Sequence, residues 1–141
     1  MIWHTPPDID ELNQIGKGTA VSALGIEITE VGVDFLKGSM PVDERTRQPL
    51  GVLHGGASVL FAESLGSIAA NYVIDHDKAY CVGMEVNANH IRSIREGMVT
   101  GIARPLHLGR STQVWEIRIH DQQDRLICIS RLTMAVVQKD I

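Results

Sequence analysis

Residues 57–74 form a stretch without proline, almost wholly apolar or small, that carries a single charge, Glu63. Val59, Leu60, Phe61, Leu65 and Ile68 interleave with Ala62, Gly66, Ala69 and Ala70. At helical spacing this places apolar or small side chains nearly all round, which marks a buried helix rather than one with a broad wet face. Gly66 inside it costs roughly 1 kcal/mol of helix propensity relative to alanine, so close packing or function should compensate. A helix of this kind needs partners around it, and the chain beyond Tyr72 supplies them. Four strand-like runs follow, over residues 80–91, 98–105, 111–120 and 126–137. The third alternates, with Trp115, Ile117 and Ile119 on one face and Glu116, Arg118 and His120 on the other. The fourth is apolar on both faces, as a central strand would be.

Ahead of the helix, Asp8 caps a short helical pattern through Ile9, Leu12 and Ile15 that ends near Gly16 or Gly18. Residues 24–42 read as two strands with a tight turn at Gly32 and Asp34. The order is short helix, two strands, long helix, four strands, which is an α+β layer arrangement. With 141 residues and no break in composition, one domain over 1–141 is expected.

The net charge of −4 argues against a nucleic-acid surface, which would need a basic stripe. No apolar run reaches membrane-spanning length, and the opening residues lack the charged and apolar regions of a secretory leader, so a cytoplasmic protein is expected. Cys81 and Cys128 lie far apart in apolar stretches and read as buried free thiols. The histidines show no paired ligand spacing, so no metal site is expected. There is no nucleophile elbow around a serine and no glycine-rich phosphate loop.

Glu63 is the residue that fits its surroundings least. A carboxylate in so apolar a helix should be desolvated, which raises its pKa and makes it a better base or nucleophile. Ser67 follows one turn later on the same face. Just before the helix stands His54-Gly55-Gly56. Two glycines allow a tight bend and close approach to a ligand, and a helix N-terminus offers unpaired N–H groups to a developing oxyanion. Read alone, the same residues are equally an ordinary strand-to-helix connection, and His54 a structural histidine.

The run Gln48-Pro49, Gly51-Val52-Leu53-His54-Gly55-Gly56-Ala57-Ser58 and Ala62-Glu63-Ser64-Leu65-Gly66-Ser67 resembles the hot-dog thioesterases of the phenylacetate-degradation type. The likeness continues through Gly83-Met84-Glu85-Val86-Asn87-Ala88-Asn89-His90, Pro105 to Arg110 and Ser130 to Thr133. It implies a hot-dog fold, a long central helix wrapped by an antiparallel β-sheet. It also implies acyl-CoA thioester hydrolysis, with Glu63 as nucleophile or general base and the Gly55 N–H as oxyanion donor. Gln48 and His54 would orient the thioester or the attacking water, and Ser67 would help place that water. The resemblance further implies a composite site between subunits, in a homotetramer built as a dimer of dimers.

Coenzyme A would be part of the substrate, and no separate cofactor is expected. Its phosphates should meet local cations, for which His90, Arg92 and Arg110 are the candidates, with Ser64 as a further substrate-binding residue. The acyl group is expected to be aromatic, with 1,4-dihydroxy-2-naphthoyl-CoA of menaquinone synthesis leading and an acyl carrier protein thioester as the alternative. Two rival readings are a hot-dog dehydratase or hydratase and a non-catalytic acyl-CoA binding module. The first would bring a dehydratase-like histidine segment and the second an appended domain, and the sequence shows neither.

Overall fold

The computed structural model describes residues 1–140. The Asp8 side chain accepts from the Glu11 N–H and starts α1 (Ile9–Ile15). Thr19 starts a single turn, α2 (Ala20–Ala23), too short to show any periodicity in sequence. β1 (Glu27–Val31) and β2 (Leu36–Val42) make the expected hairpin. Then come α3 (Gly55–Val73), β3 (Ala79–His90), β4 (Gly97–Leu108), β5 (Thr112–His120) and β6 (Leu126–Gln138). The strands form one antiparallel sheet in the order β1-β2-β4-β5-β6-β3, with α3 packed against it. This is the expected long helix wrapped by an antiparallel sheet. β4 runs on beyond Pro105, where sequence alone ends it, because the ladder accommodates that proline at an irregularity between Pro105 and His107. Among the described residues, no helix is long and apolar enough to cross a membrane.

Trp115, Ile117 and Ile119 are fully buried, and Phe61, Ala62, Leu65, Ala69 and Ala70 of α3 meet them and their neighbours. Glycine makes that contact close. Gly38 of β2 and Gly101 of β4 face each other across the ladder. A Cβ on Gly101 would lie 2.7 Å from Leu65 and 3.0 Å from the Phe61 ring, and one on Gly38 would lie 2.9 Å from Leu65. On the helix side, a Cβ on Gly66 would lie 2.6 Å from Leu132. The helix glycine is thus compensated by packing, as its propensity cost requires.

The two edges of the sheet are treated differently. At β1 the Asn13 side chain of α1 bonds both backbone groups of Ile28, donating to its carbonyl at 3.0 Å and accepting from its N–H at 2.8 Å. The β3 edge is bare and long, with Tyr80, Val82 and Met84 exposed. β3 runs antiparallel along α3 and touches it at three levels. His90 lies against Gly55, Gly83 lies beside Glu63, and the Cys81 N–H donates to the Asn71 side chain at 3.0 Å.

Cys81 and Cys128 are free and buried, as expected. Burial pushes the Cys81 thiol up to about 11 and raises that of Cys128 as well.

Valine in place of Gly101 should overpack the Phe61–Leu65 contact and lower stability by about 1–3 kcal/mol, read as a reduced urea midpoint. The raised thiol carries a second expectation. A group whose folded value exceeds its unfolded one adds stability that is complete below the ordinary value of 9.0 and lost as pH rises toward about 11. Melting temperature should therefore fall through that window, and Cys81→Ala should show a shallower fall in parallel scans.

Candidate active site

The segment between β2 and α3 is organised by buried Thr46. Its hydroxyl donates to the Pro41 carbonyl at 2.8 Å and accepts from the Asp43 N–H at 3.1 Å. Its carbonyl accepts from the His54 N–H at 2.7 Å, which brings the far end of the loop back to the helix start. Between these points Gln48 opens a turn closed by the Gly51 N–H at 2.9 Å, with Gly51 in the left-handed region (φ 83°) that glycine adopts freely. The Gln48 carboxamide oxygen accepts from the Leu50 N–H, so its NH2 end is the one left free. The Leu53 N–H donates to the Ile94 carbonyl and Arg47 donates to the Arg95 carbonyl, which draws the chain after β3 alongside this loop.

His54 is the N-cap of α3. Its Nδ1 accepts from the Gly56 N–H at 2.8 Å, which assigns the proton of the neutral ring to Nε2. The two glycines that follow do not bend the chain, as the sequence suggests. Both are helical, and neither has a positive φ. What they provide is room for two imidazoles. A Cβ on Gly56 would stand 3.0 Å from the His54 ring, and one on Gly55 would stand 2.8 Å from Nε2 of His90. The Gly55 N–H, first in the helix, has no acceptor among the described residues.

Here a cleft of about 280 Å³ opens, lined by Gln48, Gly55, Ser58, His90, Arg92 and Ile127 among others. Arg92 is exposed and forms no ion pair among the described residues. Free donors, a helix N-terminus and an unpaired guanidinium make this end of the molecule suited to an oxyanion and to a nucleotide phosphate.

Glu63 stands apart from the cleft. It lies two turns further along α3, about 12 Å from Gly55 at about 1.5 Å per residue. Its carboxylate reaches over β3, with one oxygen 3.9 Å from where a Gly83 Cβ would be, next to a β3 irregularity between Gly83 and Glu85. It is exposed in the single chain and forms no hydrogen bond or ion pair among the described residues. The expected desolvation is therefore not present within one subunit, because α3 buries its other faces and turns this one outward. Ser67, half-buried, follows on the same face, whereas the Ser64 hydroxyl is committed to the Leu60 carbonyl at 2.7 Å.

Arg110 is not brought to the cleft. It sits in the β4–β5 turn, where the Ser111 carbonyl accepts from Val136, while His90 pairs with Cys128. Those two levels of β6 are separated by about 26 Å at about 3.3 Å per residue. Sequence reasoning also passed over Thr46 and Ser58. Ser58 carries a usable signal, since it lies three residues after Gly55 on one helix face. Thr46 has none, because its role depends on contacts with Pro41 and His54 that only the folded loop creates.

Known proteins agree with this architecture. Residues 50–128 match the family model of the thioesterase superfamily. The chain is 50% identical to the 1,4-dihydroxy-2-naphthoyl-CoA hydrolase of Escherichia coli over 137 residues, covering 97% of this chain and all of that one. It is likewise 50% identical to the proofreading thioesterase EntH of Cronobacter turicensis, covering 97% and 99%. Among solved structures, a thioesterase of Haemophilus influenzae superposes with a TM-score of 0.95 at 47% identity, covering 98% of this chain and 96% of that one. With a free N–H at the start of a helix, an unpaired carboxylate two turns on, and these likenesses across nearly its full length, the chain belongs to the thioesterase superfamily.

Proposed function

We propose that this protein hydrolyses aromatic acyl-CoA thioesters to the free acid and coenzyme A, with 1,4-dihydroxy-2-naphthoyl-CoA the leading substrate. The observation that carries this reading is the pairing of the unpartnered Gly55 N–H with the unpaired carboxylate of Glu63 on one helix. The first can polarise a thioester carbonyl, and the second can take a proton from water or attack directly. At about 12 Å apart on the axis, they do not act on one carbonyl within a single chain.

A second copy resolves that distance. Two-fold pairing of the bare β3 edges runs the strands antiparallel and sets the Gly55 end of one helix beside the Glu63 of the other. It also covers the exposed Tyr80, Val82 and Met84, and it removes Glu63 from water. The same operation carries the partner's Arg110 end toward the cleft, where it would join His90 and Arg92 around the nucleotide. Two such dimers forming a tetramer, in the cytoplasm, complete the reading.

In the hydrolysis, water adds to the carbonyl carbon as Glu63 takes its proton. The oxyanion rests on the Gly55 N–H, the carbon–sulfur bond breaks, and the CoA sulfur leaves with that proton. Gln48, through its free NH2, and His54, through Nε2–H, orient the thioester, and Ser67 helps place the water. The equal identity to a proofreading thioesterase favours a second substrate class, aryl groups carried on an acyl carrier protein. A panel of aromatic, aliphatic and carrier-protein thioesters separates the two.

Glu63→Gln keeps size and hydrogen-bonding reach but removes basicity and nucleophilicity. It should lower kcat by at least about a hundredfold with KM little changed. In labelled water, a single turnover that places label in the Glu63 carboxylate identifies an acyl-enzyme anhydride opened at the Glu63 carbonyl. A variant within tenfold of wild type would show the carboxylate to be structural. Sedimentation at assay concentration should find the activity only in dimers or larger species, and an active monomer would overturn the composite site.

A further inference from the structure

Ser58 has no role in any of the above, yet its place in α3 is unusual. It is only 1% exposed and lines the cleft beside Gly55 and His90. No hydrogen bond from its hydroxyl is found among the described residues, while no fully buried polar atom lacks a partner, so its residual exposure lies at the hydroxyl. A helical serine ordinarily returns its hydroxyl to the carbonyl four residues back, as Ser64 does with Leu60. For Ser58 that acceptor is the His54 carbonyl, already taken by the N–H groups of Ala57 at 3.0 Å and of Ser58 itself at 3.2 Å. Its immediate helical neighbours Ala57, Phe61 and Ala62 are apolar, and nothing in their packing calls for a hydroxyl. The hydroxyl therefore finds its partner in the cleft, in solvent or in a ligand, and not in the protein.

We propose that the Ser58 hydroxyl is a second hydrogen-bond donor to the thioester carbonyl, acting beside the Gly55 N–H. Side chains on a helix lean toward its N-terminus, and residues three apart share a face, so Ser58 Oγ is carried toward Gly55 and into the cleft. A carbonyl oxygen seated on the Gly55 N–H accepts a second bond there, and that bond strengthens as charge moves onto the oxygen. This assignment rests on the thioesterase reading and adds one group to it.

Ser58→Ala should lower kcat by about tenfold to a hundredfold on the best aromatic acyl-CoA of the panel, with KM within about threefold. Its melting temperature should be unchanged, since no hydrogen bond within the protein is lost. Ser58→Thr, which restores the hydroxyl, should recover part of the loss. Binding provides a readout independent of turnover. Affinity for phenacyl-CoA, whose ketone stands in for the uncharged carbonyl, should drop about twofold to threefold in Ser58→Ala, in step with KM, while affinity for phenethyl-CoA, which has no carbonyl, should not change. Equal losses on the two analogues, or a Ser58→Ala kcat within about threefold of wild type while Glu63→Gln is inactive, would overturn the Ser58 assignment and leave the thioesterase reading standing. A wild-type protein inactive on the whole panel would overturn both.

Discussion

Phe61 and Leu65 of α3 press into a strip of sheet where Gly38 and Gly101 face each other, and Leu132 of β6 presses back onto Gly66. No β-carbon separates helix from sheet along this line, so the two approach more closely than side-chain packing ordinarily allows. Much else follows from that. A helix held this tightly has little freedom to slide or roll, which sets the level of each of its residues against the strands. Gly55 meets the end of β3, Glu63 meets its middle, and Asn71 meets its beginning. The site is a set of positions along one rigid rod and the strand beside it, and a loop ordered by Thr46 adds Gln48 and His54 to one end.

The rod also divides the chemistry. Donors gather at its N-terminus, where the backbone N–H groups and the dipole favour negative charge. The carboxylate stands two turns away, past the reach of that field, in the region where the sheet edge is open. The imidazoles are fitted to the same end through glycine. His54 folds over Gly56 and spends Nδ1 as a cap, and His90 occupies the place of a Gly55 side chain. A methyl group at either glycine would displace a ring from the groups it accompanies.

Much of this could be read beforehand where local pattern and packing agree. The alternation of Trp115, Ile117 and Ile119 named a buried face, and the proline-free apolar run located α3 to within two residues. Glu63 stood out as a charge against an apolar background. What the pattern could not tell was which way it pointed, because the residues that enclose a surface carboxylate need not belong to the same chain. The two glycines depart from expectation for a related reason. Glycine is consistent with a bend or with a missing side chain, and only the positions of His54 and His90 decide between them. Arg110 follows the helix in sequence as His90 and Arg92 do, yet strand pairing sends it to the opposite end of the sheet. Ser58 stands three residues after Gly55 on one helix face, which the sequence shows, whereas the lack of a partner for its hydroxyl is visible only in the folded chain.

Asn13 supplies to Ile28 the donor and acceptor that a neighbouring strand would otherwise offer. An edge satisfied in that way has little to give an incoming strand, so the sheet is extendable in one direction only. When two one-ended sheets join through their free edges, both ends of the product are capped. Strand addition then terminates after a single event and yields a closed pair, where a chain open at both edges could propagate into a fibre. One asparagine on a short helix would thus act as a chain stopper in any such pairing, limiting how far the sheet can grow.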